Sequence, residues 1–208
     1  MKKNSQYFRD LGWAQLKGRW EAPVLFTLVY VAISVAASAI LGGIGSLLVL
    51  PVGYSYVNAF LEDKRTAAGF KAESLFDGYK DFLRIFGTLV LEGVYTFLWT
   101  MLLVVPGVIK GVSYSQTYFV LKDNPELEFN AAIERSMEMM EGHKMEYFVL
   151  GLTFIGWILL SIFTCGILFL WVLPYMNATF AHYYEYVKEE YEKRCHGIRR
   201  QEQTIMSM

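Results

Sequence analysis

Three stretches of the chain are apolar for longer than a helix in a water-soluble core requires: residues 22–61, 85–121 and 147–184. The first is 40 residues and the last 38 residues without a single Asp, Glu, Lys or Arg. As one helix the last would reach about 57 Å at 1.5 Å per residue. A bilayer hydrocarbon core is roughly 30 Å thick and takes about 20 residues per crossing. Each stretch therefore predicts two crossings with a turn between them. Gly42-Gly43, Pro106-Gly107 and Thr164-Cys165-Gly166 are the turn candidates, because Gly tolerates positive φ and Pro lacks the donor a helix interior uses. The crossing after Pro106, residues 107–121, is short for a span.

Polar and apolar positions alternate with a helical period ahead of each block. In 5–20, Trp13, Leu16 and Trp20 share one face, with Arg9, Lys17 and Arg19 elsewhere. In 73–86, Leu75, Phe76, Tyr79, Phe82, Leu83 and Phe86 oppose Glu73, Asp77, Lys80, Asp81 and Arg84. In 126–141, Phe129, Ile133, Ser136, Met137 and Met140 oppose Glu128, Glu134, Arg135, Glu138 and Glu141. The expected architecture is all-α: a polytopic bundle of six transmembrane helices in three hairpins, each preceded by an amphipathic helix at the cytoplasmic face. Residues 1–190 form one membrane domain with repeat units near 5–64, 71–123 and 126–190, followed by a flexible charged tail, 191–208. Faint echoes support the repeat. YSYVNAFLED at 54–63 resembles YSQTYFVLKD at 114–123, and a VLP or VVP step precedes each even crossing at Pro51, Pro106 and Pro174.

Charge sets the orientation. The basic residues cluster before the first block, between 64 and 84, around the third amphipathic segment and in the tail, with only Lys110 near the three other turns. By the positive-inside rule these clusters face the cytoplasm, and six crossings put both termini there. Net charge is −1, which argues against a nucleic-acid partner. Ala37-Ser38-Ala39 resembles a signal cleavage site, but the apolar run continues to Leu50, so the first block is expected to remain as a crossing. Cys165 and Cys195 fall on opposite sides of the membrane and are expected to be unpaired.

Residues 136–185 carry GHK-x-x-x-F-x-L, then FIGW, a T-x-G turn, LW-x-x-PY and a late Tyr pair. Together with PGVIKGVSYS at 106–115, NPEL at 124–127 and A-x-L-x-G-x-W at 14–20, this resembles the bacterial membrane-protein family known as domain of unknown function 975. Met145 departs from the usual aromatic, and Glu128 from a Ser or Thr helix cap. The resemblance implies a multi-pass protein of the bacterial inner membrane with no assigned activity. A fainter similarity is to the membrane portion attached to some glycerophosphodiester phosphodiesterases, which is not their catalytic domain.

Glu92 is the principal candidate for chemistry, because ionisable residues at membrane depth usually face a bundle interior or a wet cavity. Gln116 and Tyr118 lie level with it in a hairpin and are expected to hydrogen-bond it. Asn58, Asn177 and His182 occupy the polar cytoplasmic halves of the second and sixth crossings. These six residues form the candidate intramembrane polar site, either lining a cavity or bonding helix to helix. No catalytic residue, metal site or cofactor is expected, since no HExxH, GxSxG, P-loop or GxGxxG pattern occurs. The expected function is non-enzymatic, through contact with membrane lipids, a membrane-protein partner or a second copy of the chain. The alternative is a small-solute or ion transporter built on the interfaces between the three units.

Overall fold

A computed structural model describes residues 3–206. These residues form helices and connecting turns, with no strand among them. α1 is Ser5–Leu16 and α2 is Glu21–Leu41. α3, Gly43–Leu48, and α4, Leu50–Thr66, follow in line, with Pro51 in the first turn of α4, where a missing N–H breaks no bond. A 3-10 helix, Ala72–Tyr79, precedes α5, Phe82–Leu102. α6 is Val104–Tyr114, α7 is Thr117–Asp123 and α8 is Asn130–Met139. α9, Lys144–Leu152, and α10, Ile155–Phe163, lead to the long α11, Phe169–Met206.

Among the described residues, four helical segments are long and apolar enough to cross a membrane: Glu21–Leu41, Gly43–Thr66, Phe82–Leu102 and Lys144–Phe163. The two other expected crossings fail that criterion for different reasons. The one after Pro106 is broken between α6 and α7, and α11 runs on into charged sequence.

Several local expectations are revised. The amphipathic segment at 73–86 is not one helix: the 3-10 turn ends at Tyr79 and α5 starts at Phe82. Of its predicted buried face, Leu75 is buried while Leu83 is 74% exposed. Phe76, Tyr79, Phe82 and Phe86 instead form a column of stacked rings with centroids 5.0–6.3 Å apart. Arg84, placed on the charged face, donates to the carbonyls of Leu121 and Leu127 at 3.3 and 3.2 Å. The turn before α6 falls at the extended Leu103, and Pro106 lies inside the first helical turn. The helix expected from residue 126 starts only at Asn130. Phe129, at φ 46°, is held away from it: its N–H donates to Thr88 Oγ1 at 2.9 Å and its ring lies against Gly87 on α5.

α11 is the hub, packing on α1, α2, α4, α8 and α10. The segments ahead of the apolar blocks pack on helices from another part of the chain. α1 lies on α11, with Phe8 against Tyr183 and Tyr186 at 5.1 and 5.3 Å and Gly12 against Thr179. The 3-10 helix lies on α4, where the Gly78 N–H donates to Ser55 Oγ at 2.7 Å, and reaches the end of α3, where the Tyr79 hydroxyl donates to the Leu48 carbonyl at 2.6 Å. α8 lies on α6 and α7, where Ser136 donates to the Ser113 carbonyl at 2.8 Å and accepts from the Gln116 N–H at 3.2 Å.

Candidate functional site

The sequence candidates divide into two places. Glu92, Gln116, Tyr118 and Asn58 gather where α4 and α5 meet the break between α6 and α7. Ser115 and Gln116 occupy that break, and the three residues 116–118 point in different directions because successive helical residues turn by about 100°. Thr117, between the expected partners Gln116 and Tyr118, lies beside Glu92, and its hydroxyl donates to the Tyr114 carbonyl at 2.6 Å. Gln116 is fully buried and donates through Nε2 to Ser115 Oγ at 2.8 Å. Tyr118 stacks near Tyr54 at 6.4 Å, and its carbonyl accepts from Asn58 Nδ2 at 3.0 Å. Tyr114, Tyr118 and Tyr147 are also near enough to feel a charge on Glu92.

Three buried acceptor oxygens in this cluster have no hydrogen-bond partner among the described residues: Glu92 Oε2, Asn58 Oδ1 and Gln116 Oε1. A buried acceptor without a donor costs about 1–3 kcal/mol, so each is a place where a proton, a water or a ligand donor would be gained. For Asn58 the amide orientation is fixed by its surroundings. Nδ2 faces two carbonyls, those of Tyr54 and Tyr118, both at 3.0 Å, and only a donor satisfies them.

Asn177 and His182 do not join this cluster. Asn177 donates to the Leu173 carbonyl of its own helix at 2.9 Å. His182 lines a separate polar pocket of about 530 Å³ with Lys3, Tyr7, Lys64 and Glu185, where its Nε2 is buried without a partner. Cys165 and Cys195 are both free.

Sequence reasoning missed the two aspartates that tie the bundle's charged end together. Asp63, 2% exposed, accepts from Arg19 Nη2 and Gln15 Nε2, both at 2.9 Å, and from the Gly69 N–H at 3.2 Å. Asp123 takes both Nη groups of Arg65 at 2.6 and 2.7 Å, the Tyr184 hydroxyl at 2.8 Å and Lys188 Nζ at 2.7 Å. Burial alone would raise the Asp123 carboxyl, but the hydrogen bonds from Arg65, Lys188 and Tyr184 outweigh it and hold it at about 2. The signal was present: the two aspartates are the matching last residues of the echo between 54–63 and 114–123.

Neither a curated protein nor a solved structure matches this chain. Residues 87–191 match a family described as "Protein of unknown function (DUF975)", and this region holds Glu92, Gln116–Tyr118, Asp123 and most of the packed part of α11. With its motifs at 106–127 and 136–185 inside that match, the chain belongs to the DUF975 family.

Proposed function

We propose that this is a six-crossing protein of the bacterial inner membrane, with both termini in the cytoplasm, that acts without catalysis through contact with lipid or a membrane partner. The observation that carries this reading is the separation of surfaces. Exposed large apolar side chains cover α2, α5, α6 and α10, including Leu25, Ile40, Phe97, Met101, Val105 and Phe163. A cluster of ion pairs sits instead where α4, α7 and α11 end or become charged, between Lys64, Arg65, Asp123, Glu185 and Lys188. Water disfavours such a continuous apolar surface and lipid does not. The fourth and sixth crossings of the proposal are α6, which returns along α5, continued by α7, and the charge-free start of α11.

The two native cysteines test the topology without a substitution. In intact cells a membrane-impermeant maleimide is expected to label Cys165 and to reach Cys195 only after permeabilisation. Added cysteines at Asp77 and Glu134 are expected to behave like Cys195. Opposite accessibility of 77 and 134 would rule out the three-hairpin arrangement.

The transport reading has one observation in its favour, the unpartnered oxygens around Glu92. Glu92→Gln separates the two readings, because Gln keeps the shape and an acceptor oxygen and removes the option of a charge. On the structural reading the variant melts in detergent at the wild-type temperature or slightly above and complements a deletion strain fully. Normal melting with failed complementation would assign Glu92 to transport.

A further inference from the structure

Phe129 is held in a backbone conformation that its own sequence opposes. At φ 46° and ψ −117° it lies in a region that glycine tolerates and a bulky residue does not. The local signal at 124–127 starts a helix near residue 126, yet α8 begins only at Asn130. Contacts with α5 hold the segment off that path. Arg84 donates to the Leu127 carbonyl at 3.2 Å, and the Phe129 N–H donates to Thr88 Oγ1 at 2.9 Å. The Phe129 ring lies against Gly87, and the Tyr95 hydroxyl donates to Asn130 Oδ1 at 3.3 Å. Thr88, Glu92 and Tyr95 fall at i, i+4 and i+7, on one face of α5. Glu92 therefore sits between the two hydrogen bonds that fasten Phe129 and Asn130. Further along α8, Ser136 closes the break between α6 and α7 by bonding Ser113 and Gln116. Residues 128–131 are exposed, so the segment runs along the outside of the bundle with room to lift.

We propose that residues 127–130 form a strained strap that closes access to Glu92 and opens by joining α8. In the closed state, the one described here, tertiary contacts hold Phe129 at positive φ. In the open state residues 126–129 adopt the helix that their sequence favours, the strain at Phe129 is released, and the Glu92 face of α5 is uncovered. Backbone strain and helix preference both favour opening, and the contacts with α5 oppose it. The two states are thus closer in free energy than they would be for an unstrained strap. The strap governs access to Glu92 whether that residue serves transport or only packing, so it stands apart from both readings above.

The test uses the full-length protein with Cys165→Ser and Cys195→Ser, and reads how fast a small methanethiosulfonate reagent labels Glu92→Cys. Ser161→Cys, fully buried on α10, is the control for general loosening. Labelling at 92 is expected to be slow. It should become about tenfold faster with Thr88→Val, the scale of one lost hydrogen bond, because Val keeps the shape but removes the acceptor for the Phe129 N–H. Gly87→Ala should act in the same direction, since its Cβ displaces the Phe129 ring. Labelling of Ser161→Cys should stay unchanged in both. Position 129 separates strain from contact. Phe129→Ala and Phe129→Gly both lose the ring, but only Gly fits the positive φ, and Ala favours the helix. Labelling at 92 should therefore be about tenfold faster with Ala than with Gly. With Glu92 intact, carbodiimide modification of its carboxyl, read by peptide mass spectrometry, should follow the same order and serves where Glu92→Cys fails to fold. Unchanged rates in Thr88→Val and Gly87→Ala, or equal acceleration at Ser161→Cys, would overturn the strap, and equal rates for Ala and Gly at 129 would overturn its strain.

Discussion

Asp123→Ala is expected to lower stability by about 2–4 kcal/mol. Removing one member of a buried ion pair typically costs 3–5 kcal/mol, because the partner is left buried and uncompensated. Here Asp123 has only 7% of its side chain exposed, but Arg65 and Lys188 are 32% and 33% exposed, and water screens part of the loss. Asp123→Asn keeps the shape and a hydrogen-bond acceptor and should fall between Ala and wild type. The pH dependence has a definite sign. A carboxyl held below its unfolded value of about 3.9 adds stability that is complete above that value and is lost as pH falls through its folded value, here about 2. The difference in apparent melting temperature between wild type and Asp123→Asn should therefore be constant above about pH 4 and shrink towards zero near pH 2. A gap that persists unchanged at pH 2 would mean that the carboxylate charge does not hold Arg65 and Lys188.

Gly12→Leu is expected to detach α1 from α11. A Cβ at position 12 meets the Thr179 hydroxyl, and the Thr179 backbone N and Cα at 2.8 and 3.0 Å. The side-chain atom can rotate away, but the backbone of a packed helix cannot. Gly12→Ala should cost about 1–3 kcal/mol by overpacking. With Leu the helix must lift, which exposes Phe8 and Leu16, now 2% and 0% exposed, at about 2 kcal/mol each. Thermal unfolding in detergent reads the loss, and trypsin at Lys17 and Arg19 reads the lifting of α1. Gly93→Ala is the control: nothing lies within 4 Å of its Cβ, and Ala favours the helix. Equal melting of Gly12→Leu and wild type would mean that α1 adds nothing to the packed bundle.

How much of this was legible in the sequence follows from the range of each interaction. The apolar blocks gave the helices, because length and periodicity are local, and α2 and α5 lie close to where the pattern put them. The break at Ser115-Gln116 was invisible to hydropathy, since residues 107–121 stay apolar on both sides of it. The late start of α8 depends on Phe129 bonding to Thr88, 41 residues away, against a local helix-start signal at 123–126. Glu92, Gln116, Tyr118 and Asn58 were found because a polar residue inside an apolar run is conspicuous. Asp123 was read only as the start of a turn, because its partners Arg65, Tyr184 and Lys188 lie about 60 residues away in either direction.

The seating of α1 on α11 also governs when the packed bundle can form. During synthesis α1 leaves the ribosome about 150 residues before α11 begins, a delay of about 8–30 s at ordinary elongation rates. Throughout that interval Phe8, Gly12 and Leu16 have no partner, and the nascent chain shows an apolar flank to whatever insertion or quality-control factors stand at the membrane. A message truncated before the α11 codons yields a product that never covers that flank. Covering that flank thus waits on α11, and the accessibility of Phe8 and Leu16 reports whether α11 has packed against α1.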